Sequence, residues 1–341
     1  MSGGRVTEIA FFSAKTYERQ VFDAANAAAG NPHHLVYLEN RLELESVGLA
    51  MGAPTVCVFV NDVVSAPVIE ALAAGGTRCI ALRCAGFNNV DLEAAERLGV
   101  TVVRVPSYSP NAVAEHTLAL ILTLTRRIHL AYNRVRDGNF ALDGLVGFDL
   151  AGKTAGVVGT GRIGAIVGRL LWHLRCKVLA VDPYPNDHLL NLGAEYVDMD
   201  TLLAESDLIT LNCPLTDENH HLIDEAAIAK MRDGVMLINT GRGPLIDTSA
   251  VVAGLKSGRI GSLALDVYEE EADLFFEDRS HEIIDDDVFA RLLTFPNVLI
   301  TAHQAFLTNE ALSAIAETTL QNVSDVLSGT PTDNEVHPTD A

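Results

Sequence analysis

Three polar residues in this 341-residue chain stand where chemistry is usually done. Arg242 lies in Asn239-Thr240-Gly241-Arg242-Gly243, Glu271 closes the acidic run Glu269-Glu270-Glu271, and His303 lies in Thr301-Ala302-His303-Gln304. Each follows a short apolar run that reads as a β-strand, over 235–239, 262–267 and 298–300. Open α/β sheets bind ligands just beyond the carboxyl ends of their strands. A histidine titrates in the range needed to take a proton from an alcohol or return one to a carbonyl. A carboxylate beside it raises its pKa and fixes its tautomer. An arginine offers a planar fork that grips a substrate carboxylate in two places. Singly, each has an ordinary explanation: the chain has 11 histidines, glutamates in acidic runs are mostly solvated, and an arginine among glycines is commonly a surface turn. Their shared placement at strand ends is what makes them a candidate site.

The partner chemistry is written in Val157-Val158-Gly159-Thr160-Gly161-Arg162-Ile163-Gly164. A buried strand over 154–158 turns at Gly159 into a helix running to about residue 174, and a second strand over 177–181 ends in Asp182. In such a βαβ unit Gly159 allows the tight turn, Gly161 lets the backbone approach a pyrophosphate, and Gly164 lets helix pack on strand. The helix N-terminus presents free N–H groups and a positive dipole end to the phosphates. Asp182 stands where a carboxylate can accept both ribose hydroxyls. Its charge would repel a 2′-phosphate, so the expected cofactor is NAD rather than NADP.

Positioning these residues requires a repeated strand–helix pattern, and the chain supplies one. Strands are expected at 7–12, 34–38, 55–60, 79–83 and 100–103, with helices at 17–29, 67–74 and 91–98 between them. Pro106-Ser107-Tyr108-Ser109-Pro110 interrupts the alternation and reads as a hinge. A long, mostly apolar helix is expected over 111–132. Beyond Asp182 the alternation resumes, with strands at 208–212, 235–239, 262–267 and 298–300 and helices near 201–206, 224–232 and 247–257. A last helix over 311–327 can return to the first domain. The expected class is α/β, with two doubly wound parallel-sheet domains and an interdomain cleft. The first, discontinuous domain takes 1–105 and 301–341, and the nucleotide domain takes 106–300.

Composition narrows the function classes. The net charge is −21 and five of the 24 basic residues are lysines, which argues against a nucleic-acid or anionic-membrane surface. No apolar run approaches the roughly 18 residues of a membrane span. Met1-Ser2-Gly3-Gly4-Arg5 lacks the architecture of a secretion signal, so a cytoplasmic location is expected. The five cysteines (Cys57, Cys79, Cys84, Cys176, Cys213) show no CxxC spacing and read as buried reduced thiols. No metal site is expected. His116 and His129 read as helix residues, and His33-His34 and His220-His221 as loop or strand-edge pairs.

Over nearly its whole length the chain resembles the D-isomer-specific 2-hydroxyacid dehydrogenases, and within them the fermentative D-lactate branch. The stretches that carry the resemblance are Phe59-Val60-Asn61-Asp62, 82–91 (Leu-Arg-Cys-Ala-Gly-Phe-Asn-Asn-Val-Asp), Val105-Pro106 through Ala114-Glu115-His116, the glycine fingerprint, Asn212-Cys213-Pro214-Leu215-Thr216, 239–243 and 303–308. Asp273-Leu274-Phe275-Phe276-Glu277-Asp278 is similar to the D-lactate branch specifically. The resemblance implies a flavodoxin-like substrate domain and a Rossmann NAD domain. It implies His303 as acid–base, Glu271 as its partner and Arg242 as anchor of the substrate carboxylate. Backbone N–H groups at Cys84, Ala85 and Gly86 would hold the other side of that carboxylate, and Tyr108 and Phe306 would help close the pocket. Arg162 and Ile163 would meet the pyrophosphate and Asp182 the adenosine ribose. Cys213, Pro214 and Asn219 would line the cofactor groove, and Thr240 and Asp266 would reach the nicotinamide end, with Gly241 among the cofactor contacts. Gly241 departs from the Ser or Ala of many relatives, which should loosen that turn, and Gln304 replaces an apolar residue common in the wider superfamily. The implied activity is reduction of pyruvate to D-lactate by NADH, with a small-molecule substrate and a homodimer or homotetramer as the assembly. Two other readings compete: a dehydrogenase for bulkier 2-ketoacids such as phenylpyruvate or 2-ketoisocaproate, and an NADH-sensing corepressor-like binding protein.

Overall fold

The computed structural model describes residues 7–271 and 274–340; Met1–Arg5 and Asp273 lie outside the described residues. The chain divides into two compact units, one of residues 1–109 with 307–341 and the other of 110–306. Against the expected crossings after 105 and 300, the breaks fall after 109 and 306, so His303 and Phe306 belong to the second unit.

The first unit is built from β1 (Thr7–Phe11), α1 (Thr16–Ala28), β2 (His33–Tyr37), β3 (Thr55–Val58), α2 (Ala66–Ala74), β4 (Cys79–Leu82), α3 (Leu92–Leu98) and β5 (Thr101–Val103). Its five strands are parallel in the order β2-β1-β3-β4-β5, the flavodoxin-like arrangement. The central strands β3 and β4 are buried at every residue, as continuous apolar runs must be in a sheet covered on both faces.

The second unit runs through α4 (Pro110–Thr125), α5 (Ile128–Arg136), β6 (Thr154–Val158), α6 (Arg162–His173), β7 (Lys177–Val181), α7 (Asp187–Leu192), β8 (Glu195–Tyr196) and α8 (Met199–Glu205). It continues with β9 (Leu208–Leu211), α9 (Glu225–Lys230), β10 (Val235–Asn239), α10 (Thr248–Ser257), β11 (Ile260–Leu265), α11 (Asp287–Leu293) and β12 (Val298–Ile300). A final helix, α12 (Asn309–Ser328), returns to the first unit and packs on α1 and β4. The second sheet has the order β12-β11-β10-β9-β6-β7-β8, all parallel. The order reverses between β6 and β9, the switch point where a Rossmann sheet opens its ligand crevice. Leu120, Ile121, Val157, Leu171 and Val178 fill one core of this unit, and Leu203, Ile228, Leu237, Val251, Leu263 and Leu292 another. Among the described residues no helix is long and apolar enough to cross a membrane.

The single helix expected over 111–132 is in fact two. It breaks at Arg127, whose φ of 51° is left-handed. No glycine or proline marks the place. The Thr125 carbonyl, instead of accepting a later helical N–H, accepts the Phe148 N–H at 3.2 Å. Gly147 makes this possible, because a Cβ there would lie 2.0 Å from the Thr125 oxygen. The first piece, α4, is largely buried. The second, α5, has no buried residue.

Candidate active site at the strand ends of the second unit

Lateral register brings the candidate residues to one edge. Val158 is paired with Val181 and Leu211, Asn239 with Leu211 and Leu265, and Leu265 with Ile300. The segments that start at Gly159, Asp182, Asn212, Thr240, Asp266 and Thr301 therefore leave the sheet side by side.

The glycine turn fits a dinucleotide. Gly159 has a φ of +85°, and a Cβ on it would strike the Cys213 nitrogen at 2.5 Å across the switch point. A Cβ on Gly161 would meet nothing within 4 Å, so the backbone there borders open space that a phosphate can enter. The helices α7 to α11 are all capped by an Asn or Asp side chain: Asn186, Asp198, Asp224, Asp247 and Asp286. By contrast α6 begins at Gly161 with no side-chain cap. Its first-turn N–H groups, which a helix cannot satisfy internally, include those of Arg162 and Ile163 and remain for an anionic ligand. Asp182 is fixed beside them: its carboxylate accepts the Thr160 N–H at 2.6 Å and the Tyr184 N–H at 2.8 Å. Thr160 is buried and bonded to the Tyr196 hydroxyl at 2.9 Å. On the other side of the switch point, Asn219 donates to the Pro214 carbonyl at 2.8 Å and approaches the Cys213 sulfur at 4.0 Å.

The Arg242 turn is folded by Asn239, whose side chain donates to the Arg242 carbonyl at 2.8 Å and accepts the Gly241 N–H at 3.0 Å. The half-buried Arg242 donates through Nη1 to the Gly241 carbonyl at 2.9 Å. Gly243 packs so closely on the next loop that a Cβ would lie 2.1 Å from the Tyr268 carbonyl oxygen. Gly241 is also tight, since a Cβ would sit 3.3 Å from the Leu211 oxygen; glycine relieves that turn. Thr240 is buried and shares a hydrogen bond of 2.8 Å with Thr117 on α4.

His303 and Glu271 meet. Nδ1 of His303 lies 2.8 Å from Glu271 Oε1, with both side chains about one-fifth exposed. The second Glu271 oxygen accepts the Tyr268 N–H at 3.0 Å. Ala302 and His303 are both left-handed, with φ of 50° and 56°, a conformation that non-glycine residues hold only where their surroundings impose it. Buried Asp266 imposes it. Its carboxylate accepts from Thr301 Oγ1 at 2.6 Å, Gln304 N at 2.9 Å and Ala305 N at 2.9 Å, while the His303 N–H donates to its backbone carbonyl. Burial alone would push the Asp266 carboxyl up, but hydrogen bonds from His116, Thr301 and Ala305 and the nearby His116 ring outweigh it, leaving the group below the ordinary carboxylate range.

Cys84, Ala85, Gly86 and Tyr108 belong to the first unit. Cys84 is buried after β4, its thiol donating to the Gly86 carbonyl at 3.3 Å, and Ala85, Gly86 and Tyr108 are half-buried. The preceding Arg83 is fully buried, bonded to Glu18 at 2.6 Å and lying over Phe11 and Phe59. Phe306 is buried in the second unit. Burial pushes the Cys57 and Cys79 thiols up to about 12, and all five cysteines are free.

Several supporting residues carry no sequence signal. His116, expected as an ordinary helix residue, bonds Thr301 Oγ1 at 3.0 Å and lies 3.4 Å from Asp266. Its partners are 150 or more positions away, and nothing in local spacing announces them. His220 and His221, expected as a loop pair, cluster with Glu269.

A family model described as "D-isomer specific 2-hydroxyacid dehydrogenase, NAD binding domain" matches residues 118–305. The chain is 53% identical to Escherichia coli D-lactate dehydrogenase over 329 residues, covering 96% of this chain and 99% of that one. A structure of D-lactate dehydrogenase from Aquifex aeolicus complexed with NAD and lactic acid superposes with a TM-score of 0.83 at 33% identity, over 94% of this chain and 96% of that one. A structure of D-2-hydroxyisocaproate dehydrogenase gives a TM-score of 0.84 at 31% identity, over 97% and 99%.

Proposed function

The chain belongs to the D-isomer-specific 2-hydroxyacid dehydrogenase family, and from that membership we propose that it is an NAD-dependent D-lactate dehydrogenase, reducing pyruvate to D-lactate reversibly. The observation that carries the reading is the 2.8 Å His303–Glu271 pair on the same sheet edge as the uncapped glycine turn. The 53% identity to a D-lactate dehydrogenase over nearly the full length of both chains favours pyruvate over bulkier ketoacids.

When bound, NADH supplies the hydride for the keto carbon. The Gly159–Gly164 turn with Arg162 and Ile163 holds its pyrophosphate, and Asp182 takes the adenosine ribose. Cys213, Pro214, Asn219, Thr240, Gly241 and Asp266 complete the groove. His303, with Nδ1 turned to Glu271, gives its proton from Nε2 to the developing alkoxide, and Glu271 holds the ring in that orientation. Arg242 grips the carboxylate and stabilises the growing negative charge on oxygen. In the first unit, backbone N–H groups of Cys84, Ala85 and Gly86 and the Tyr108 side chain act on the substrate, as does Phe306 in the second. We assign 1–109 with 307–341 as the substrate unit and 110–306 as the cofactor unit, in a cytoplasmic, fermentative enzyme.

The assembly is a homo-oligomer, at least a dimer. Its support is α5 and the segment after it, where Ile128, Tyr132, Val135, Phe140, Leu142 and Val146 are each more than half exposed, an apolar surface of the kind that pairs with another chain.

Initial rates at saturating NADH with pyruvate, phenylpyruvate and 2-ketoisocaproate test the substrate. The highest kcat/KM is expected for pyruvate. A preference for either bulky acid would keep the mechanism and overturn the substrate, and no turnover despite NADH binding would favour a sensing protein.

A further inference from the structure

Among the described residues, the proposed reaction leaves a cluster of metal-ligating side chains unused. His220, His221 and Glu269 bring one ligand atom each to within 4.8 Å of one another. His221 Nε2 lies 2.5 Å from Glu269 Oε1. The two imidazoles face each other, with centroids 4.0 Å apart and planes tilted by 31°. The cluster joins the segment after β9 to the loop after β11, and it is distinct from the His303–Glu271 pair.

Two of the three ligands are held by their neighbours. Glu269 Oε2 accepts from the Thr248 backbone N–H at 3.3 Å and hydroxyl at 3.0 Å, at the start of α10. His221 is left-handed, with φ of 54°, and its N–H donates to the Pro244 carbonyl at 2.8 Å. Such outer contacts orient ligands in built metal sites. His220 is exposed and gives solvent access. Glu270 and the Asp217-Glu218 pair adjoin the ligands in sequence and add negative charge to both loops.

We propose that His220, His221 and Glu269 bind a divalent transition-metal ion of the zinc class, with water in the remaining position. Two imidazoles and a carboxylate form a three-ligand set that Zn²⁺ takes with an open site, at about 2.0–2.2 Å per ligand. Co²⁺, Ni²⁺ and Cu²⁺ accept the same donors, whereas Mg²⁺ and Ca²⁺ prefer oxygen alone. The ion enters between His221 Nε2 and Glu269 Oε1 and replaces their hydrogen bond, and the proton they share passes to solvent. Two ligands of one ion stand about 3.0–3.5 Å apart, so the pair opens by less than a bond length. The bound ion ties the segment bearing Cys213, Pro214 and Asn219 to the loop bearing Glu271, and through Pro244 and Thr248 to the Arg242 turn. The site stands whether or not the dehydrogenase reading holds.

The test is calorimetric titration of the chelator-treated full chain with ZnCl₂, repeated with Co²⁺ to read its visible absorption. The expected result is one ion per chain with proton release and a raised Tm. His220→Gln, at an exposed position, should fold as the parent does without metal and lose at least tenfold in affinity. His303→Gln should bind the ion as the parent does. Absence of binding by the parent would overturn the site. Unchanged affinity in His220→Gln, or loss confined to His303→Gln, would place the ion elsewhere and overturn it equally.

Discussion

The loop after β11 carries two carboxylates two residues apart, Glu269 and Glu271, each paired with a histidine from another segment, and the pairs differ in which ring nitrogen meets the acid. His303 turns Nδ1 to Glu271, at 2.8 Å, and His221 turns Nε2 to Glu269, at 2.5 Å. In the first, the nitrogen at the far end of the ring is left for a ligand, as the proposed proton transfer requires. In the second, the far nitrogen is the one engaged, and the ring joins two loops. Both histidines are left-handed, so backbone strain alone does not separate them. The anchoring does: the His303 loop is gathered by the Asp266 carboxylate, whereas Glu269 is anchored to α10 through Thr248. Under the proposed function, the same two residue types serve as a proton relay or a loop clasp according to which atoms their neighbours leave available.

Paired substitutions separate the two histidines most visibly. His303→Gln is expected to lower kcat for pyruvate reduction by roughly 10²–10⁴-fold, the span of general acid–base contributions, while His221→Gln should stay near the parent rate because its ring is engaged by Glu269 rather than Glu271. Steady-state rates at saturating NADH check both; equal losses would dissolve the distinction. Next in size, Glu271→Gln should cost about 10²-fold in kcat through the orientation of His303, with Glu269→Gln nearly silent in metal-free buffer. At the far end of the same edge, Asp182→Ser should raise the NADPH-to-NADH ratio of kcat/KM by about tenfold, the worth of one relieved charge repulsion of about 1.4 kcal/mol.

The smallest effect concerns acid stability. Asp266 is held below the ordinary carboxylate range. A depressed folded-state pKa contributes stability that is complete above the unfolded value of about 3.9 and is lost as pH falls through the folded value. Denaturation midpoints followed downward from pH 6 should fall for the parent below about pH 4, with a shallower slope in Asp266→Asn. At neutral pH that variant should be less stable by about 1–3 kcal/mol, as for a broken buried hydrogen-bond network.

Much of this was legible in the sequence because its causes are local. Glycine spacing dictates the turn at Gly159, an aspartate closes β7, and Arg242, Glu271 and His303 each follow a strand that its own apolar run defines. The parts that were not legible depend on register between distant segments. The break at Arg127 is made by Gly147 and Phe148 docking on Thr125, about 20 residues away, with no breaker at the break itself. The two-residue strand β8 forms only because β7 offers its edge. His116 reaches Thr301 across 185 positions, and His221 reaches Glu269 across 48. A histidine pair in a loop gives no sign of the glutamate it will meet.

The most direct test of the proposed proton relay is NADH oxidation by the purified chain with pyruvate alone, with the configuration of the product assigned. The expected result is saturable oxidation with one D-lactate formed per NADH consumed. L-lactate as product, or NADH binding without oxidation, would contradict it.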